Sequence, residues 1–159
     1  MATVDGRVID TLFLRIQPEH PERLSPGARA VNAFDAERWK TLGALAPRAA
    51  VDSTLAFHRR VAGTRPTLMV AFNSQFDAAF LDHLFRTRAS SWREMYHYVV
   101  LDLPSMAWSL GLRDLRASDL AARLNVPDEP HIAEQHTGIT GAMVNVRIYQ
   151  GLLRLAASR

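Results

Sequence analysis

The sequence predicts a mixed α/β domain, a small sheet covered by helices, and three observations carry that expectation. Near the start, Asp5-Gly6 is followed by a β-branched run from Val8 to Ile16, the pattern of a hairpin. Further on, Thr67–Phe72 and Val99–Leu103 are short continuous apolar runs, as strands buried on both faces require. Each of these runs leads into residues with helical spacing, so strands and helices alternate through the second half of the chain.

In chain order, the run Val8–Ile16 reads as a strand ending at Gln17-Pro18. Only Met1 to Val4 is available to pair with it across the Asp-Gly turn, so the first hairpin strand is nearly absent. Ser25 as cap and Pro26 at the first position predict a short helix to Asn32. Val51 to Val61 reads as an amphipathic helix with Val51 and Leu55 inward and His58, Arg59 and Arg60 outward. Ser74 to Arg86 is predicted helical, with Phe76, Phe80 and Leu84 on one stripe. Met95 to Tyr98 leads into the strand Val99–Leu103, which Pro104 stops. Two short helices, about Ser105–Leu110 and Ser118–Leu124, precede a loop from Pro127 to Glu134. In the last helix Ala142, Val146, Tyr149, Leu153 and Ala156 fall at spacings of four and three, which predicts that this face packs. Val8–Ile16, Thr67–Phe72 and Val99–Leu103 are expected to pair within one sheet.

Composition narrows the chemistry. With 159 residues and 48% hydrophobic content, one domain spanning 1–159 can bury one core. The absence of cysteine excludes disulfides and thiolate metal sites, leaving carboxylate, imidazole and carbonyl as metal ligands. No apolar run approaches the roughly 20 residues that cross a bilayer, and the first residues lack the blocks of a signal peptide, so a cytoplasmic protein is expected. The net charge of +3 carries a single lysine, Lys40, among 19 basic residues. Arginine suits bidentate phosphate contacts, which makes the charge compatible with nucleic acid.

Two segments carry candidate chemistry. Val70-Ala71-Phe72-Asn73-Ser74-Gln75-Phe76-Asp77-Ala78-Ala79-Phe80-Leu81 is a buried strand running into a helix with one carboxylate in its first turn. Gln135-His136-Thr137-Gly138-Ile139-Thr140-Gly141-Ala142 opens the last helix with an imidazole ahead of it. Together they resemble the second and third motifs of the DEDDh 3′–5′ exonucleases, the family of the polymerase proofreading subunit, RNase T and oligoribonuclease. The resemblance runs from Val4 to Leu155 and agrees in the order of elements. It implies an RNase H-like fold, lacking its first strand here. It also implies phosphodiester cleavage with two magnesium or manganese ions on clustered carboxylates, and a histidine as general base.

On that resemblance Asp77 matches a metal ligand and His136 the base, while Asn73 and Phe76 would meet a single-stranded DNA or RNA 3′ end. From the residues alone, Asp77 would stabilise the helix N-terminus and Asn73 would cap it. The departures are specific. The family's last metal-binding Asp, five residues after the histidine, is Gly141 here, and its Asp-x-Glu pair has no counterpart. Asn145, one turn on, offers a carbonyl oxygen without charge, and Glu134 is a loop residue. Asp102 matches a position that supports structure or caps the following turn. Trp39, Trp92 and Trp108 with neighbouring arginines are weaker base-stacking candidates, Trp108 reading as core. Arg86, Arg88 and Arg93 read as a solvated helix end.

The expected function is therefore an exonuclease-like, nucleic-acid-binding pseudoenzyme, impaired or inactive as this chain, with metal absent or weakly held. Two alternatives stay open: a fragment or mis-started form of an active exonuclease, and a protein-interaction module on the same fold. A domain short of a strand leaves backbone groups unpaired, so a partner chain or homodimer is expected to be compatible with it.

Overall fold

The structure is a computed structural model in which residues 1–32, 34–129, 132 and 137–158 are described. Strands β1 (Ala2–Val4) and β2 (Arg7–Asp10) form an antiparallel hairpin. Its turn residues Asp5 and Gly6 have φ of 48° and 76°, the positive values that the predicted tight turn demands. Helices α1 (Pro26–Asn32), α2 (Ala36–Thr41) and α3 (Pro47–Ala62) follow. Asp35 caps α2 by accepting from the Arg38 amide at 2.7 Å, a local signal that sequence analysis missed. Strand β3 (Thr67–Ala71) leads through α4 (Ser74–Arg86) to β4 (Tyr96–Asp102), and helices α5 (Leu103–Ser109), α6 (Ala117–Arg123) and α7 (Gly138–Ala157) complete the chain.

β3 and β4 pair in parallel, with Met69 opposite Val100 and Ala71 opposite Asp102. Parallel strands need a crossover, and α4 supplies it. Alternate residues of the strands then point to opposite faces. Met69 joins Val51, Leu55, Phe85, Trp92 and Met95 in a core on one side. Val70 packs on the other side against Leu103, Leu120, Val144, Ile148 and Leu152. The mixed α/β architecture, small sheets flanked by helices, is as the sequence predicts.

The single sheet is not. β2 ends at Asp10, and the described strands form two separate two-stranded sheets, β1–β2 and β3–β4. Pairing along β2 stops where β1 ends, at Ala2 opposite Asp10, and farther on Ile16 makes only an isolated bridge to Leu45. A two-stranded hairpin is marginal by itself, and two tethers hold this one. The Gln150 side-chain amide of α7 donates to the Gly6 carbonyl at 2.7 Å, and Arg60 of α3 pairs with Asp10 at 2.7 Å.

Three side-chain placements depart from expectation, those of His58, Trp108 and the α7 face, and a fourth, the exposure of Phe76 and Phe80, adds to it. His58 is buried, because the chain reverses at Gly63 and brings the Arg65 carbonyl 3.1 Å from His58 Nε2. Trp108 is exposed, its ring covered on one face by the Arg113 guanidinium at 3.9 Å. Phe76 and Phe80 stand in solvent on α4, their rings tilted against each other with centroids 4.6 Å apart, while Phe85 is the helix's buried aromatic. In α7 the fully packed face is Val144, Ile148, Gly151 and Leu152; Ala142, Val146 and Tyr149 are only half-buried and Leu153 and Ala156 are exposed. Among the described residues no helix is long and apolar enough to cross a membrane.

Candidate functional site

An open, mainly apolar groove of about 1580 Å³ runs between the hairpin, the segment from Ile16 to Leu24, α3 and β3. β1 and the turn form one wall, β3 and the first turns of α4 another, and Ala142, Asn145, Val146 and Tyr149 of α7 the floor. Asp77, Phe76 and Phe80 line it, so the structure brings the Asp77 motif and the last helix to one place.

Asp77 is in the first turn of α4, solvent-exposed at the groove rim. The protein atoms around it strip part of its hydration, and this desolvation raises its carboxyl above the usual value despite an opposing backbone hydrogen bond. Burial first, then the Asp77 charge, raise the Tyr96 phenol, which places the carboxylate close to the start of β4. Among the described residues Asp77 makes no ion pair. A raised folded-state value means that the folded chain holds the Asp77 proton more tightly than the unfolded chain does. Ionised Asp77 therefore opposes folding, and the penalty develops as pH rises from the ordinary carboxyl value through the raised one. Comparison of Asp77→Asn with the parent chain by urea denaturation should show the variant's relative stability increasing from pH 3.5 to pH 7. A flat or reversed difference would remove the desolvation account.

Asn73 sits at the N-cap of α4 but does not cap it. Its φ of 62° is left-handed, a region Asn tolerates, and its side chain makes no capping bond. Asp102 takes over that role from the end of the neighbouring strand. One of its oxygens accepts from the Ser74 amide at 3.1 Å, and the other accepts from the Ser105 amide at 3.0 Å and the Ser105 hydroxyl at 2.6 Å. Partial burial pushes the Asp102 carboxyl up, but the Ser105 hydroxyl and the amides of Ser74, Ser105 and Asn73 outweigh it and hold it below the usual range. One carboxylate thus ties the starts of α4 and α5 to β4, as a capping and supporting residue would.

His136 and Glu134 lie outside the described residues. Thr137, next in the chain, caps α7 through a reciprocal pair of bonds with Thr140. Gly141 abuts a loop carboxylate: a Cβ there would lie 3.5 Å from Glu129 Oε2. Glu129 also approaches the Thr140 hydroxyl at 3.4 Å. Sequence analysis overlooked it; an acidic residue in a proline-bounded loop just ahead of the last motif was the available signal. Asp77 and the Asn145 carboxamide both line the groove, as do the carboxylates of Asp5 and Glu19, and the described residues include no group of three or more His, Asp or Glu suited to a metal. The matched motifs themselves contribute one described carboxylate, Asp77, too little charge to hold two divalent cations side by side.

The weaker candidates are engaged elsewhere. Trp92 is buried, Arg86 pairs with Asp82 at 2.7 Å, and Arg88 pairs with Asp52 of α3. No family model matches this chain, and no curated protein matches it by sequence.

Proposed function

We propose that this chain is a DEDDh exonuclease-like domain that binds single-stranded nucleic-acid ends at the groove and does not itself cleave them. One observation carries the reading. Asp77 follows a buried parallel strand into the first turn of α4 and opens onto the same groove as Asn145 of α7. The first turns of α4 and the helix of the second matched motif therefore share one groove, while the matched position Gly141 faces Glu129 and is not among the residues that line it. Phe76 and Phe80, 59% and 63% exposed, offer flat apolar surfaces beside it for base stacking. The pairing of the hairpin apart from β3 weighs against a complete RNase H-like sheet. The groove stands where a strand between the two would run.

Catalysis in this scheme needs a metal-acidified water and a positive charge at the leaving oxygen. Magnesium or manganese would rest on Asp77 with only neutral help from Asn145, so the ion would be weakly held and the base at His136 would lack its nucleophile. Binding survives this loss because phosphate contacts and stacking do not use the ions.

Fluorescence anisotropy with labelled single-stranded DNA and RNA, together with single-turnover digestion in either metal, tests both halves. The expected result is salt-sensitive binding, weakened about tenfold in Phe76→Ala, since one stacked base is worth roughly 1–3 kcal/mol, with no metal-dependent shortening. Cleavage that disappears in Asp77→Ala would overturn the inactive reading. Absence of binding to either nucleic acid would overturn the other half.

A further inference from the structure

We propose that His97 is a pH-sensitive latch on a bulge in β4: its neutral ring holds the bulge closed, and protonation releases it. This inference does not rest on the exonuclease reading. The bulge follows from the strand register. Thr67 of β3 lies opposite Tyr96 and Met69 opposite Val100, so Leu68 alone spans His97, Tyr98 and Val99. Extra residues in a strand leave main-chain groups that the ladder does not use. Here the Val99 amide donates to Nδ1 of His97 at 3.0 Å, so the bulge closes on its own side chain.

A ring nitrogen accepts a hydrogen bond only when it carries no proton, so this contact fixes His97 as the neutral ring with its hydrogen on Nε2. The Tyr98 ring lies against the imidazole, centroids 4.3 Å apart and tilted by 32°, and holds its orientation. Protonation makes both ring nitrogens donors. The new Nδ1–H and the Val99 N–H then point at each other, and the ring has to turn away. Imidazoles titrate at about pH 6.5. The latch therefore contributes above that range and is lost as pH falls through it.

The elements packed on β4 are β3, α4, α5 and the turn Trp92–Glu94. β3 and α5 carry no charged residue. The turn carries Arg93, which lies over the Trp92 ring, and Glu94, which accepts from the Ser90 hydroxyl and the Ser91 amide. α4 carries Asp77, the pair Asp82–Arg86, and His83, which faces Glu19. β4 itself adds Tyr96, Tyr98 and Asp102, whose carboxylate is committed to Ser74 and Ser105. Among the described residues no ion pair includes His97, so no carboxylate holds a proton on its ring against the Val99 contact. The place of the latch gives it a consequence. Leu68 and Tyr96 line the groove, so release of the bulge loosens the β3–β4 wall there.

Nitrogen-15 NMR of the full chain tests the latch directly. At pH 8 the His97 ring should show a bare Nδ1 and a protonated Nε2; a proton on Nδ1 instead overturns the proposal. Between pH 8 and pH 5.5 the Val99 amide, corrected for the intrinsic pH dependence of exchange, should lose protection about two- to tenfold, the factor that one net hydrogen bond supplies. Constant protection of Val99 overturns the proposal. So does an equal loss at the Ile148 amide inside α7, since the effect would then be global. These measurements need no variant. His97→Phe keeps a ring against Tyr98 but offers no acceptor, and its Val99 amide should exchange at the parent's pH 5.5 level at both pH values. If the pH-dependent loss persists at full size in His97→Phe, another group such as His58 or His83 drives it, and the latch is not His97.

Discussion

Replacement of Asp102 by alanine is expected to lower stability by about 1–4 kcal/mol, since each lost N-cap is worth roughly 0.5–2 kcal/mol and this carboxylate serves two helix starts. Its partners are the Ser74 amide of α4 and the amide and hydroxyl of Ser105 in α5. Removing it leaves both amides without their acceptor at the C-terminal edge of the β3–β4 pair. Asn73 cannot compensate, because its left-handed backbone and side chain are not arranged as a cap. Asp102→Asn should recover part of the loss, because a carboxamide oxygen still accepts, though with less charge at the helix starts. The pH response follows from the lowered carboxyl: its stabilising contribution is fully present above the ordinary carboxyl value and is lost as pH falls through the lower folded-state value. Urea denaturation at neutral pH and in acid measures both effects. A loss under about 0.5 kcal/mol at neutral pH would mean that the caps are dispensable.

Asp102 also marks how far the sequence is legible. Elements with strong local signals were readable: α4 runs from Ser74 to Arg86 as its spacing predicts, Pro26 begins α1, and Asp5-Gly6 forms the hairpin turn. Strand existence was readable from the apolar runs, but strand partnership was not, because pairing depends on what lies alongside, and along β2 it stops at Asp10, opposite Ala2. The cap of α4 was misread for a related reason. Asn73 has the right chemistry at the right position, yet a carboxylate 28 residues away takes the bond. Exposure was hardest where a helix has more than one apolar face. Phe76 and Phe80 share a stripe, but the core takes Leu81, Leu84 and Phe85 instead. Of the site, Asp77 and the α7 floor meet at one groove, whereas Glu129 beside Gly141 is reached only through the fold of the preceding loop.

The two faces of α7 can be separated by measurement. Ile148 is fully buried among Leu103, Leu120, Val144 and Leu152, whereas Val146, two residues earlier, is half-buried on the groove floor. Ile148→Ala should cost about 2–5 kcal/mol, because removing its branched side chain loses transfer free energy and leaves a cavity that packed neighbours cannot close. Val146→Ala should cost under about 1 kcal/mol, because its remaining contacts face an open groove and water fills the space. The helical spacing alone predicts the reverse order, since it puts Val146 on the packed face and Ile148 outside it. Chemical denaturation of the two variants decides between them, with an unchanged m-value confirming that the unfolding reaction is the same. If Val146→Ala proves as costly as Ile148→Ala, the groove floor is already covered and the assignment of the two faces fails.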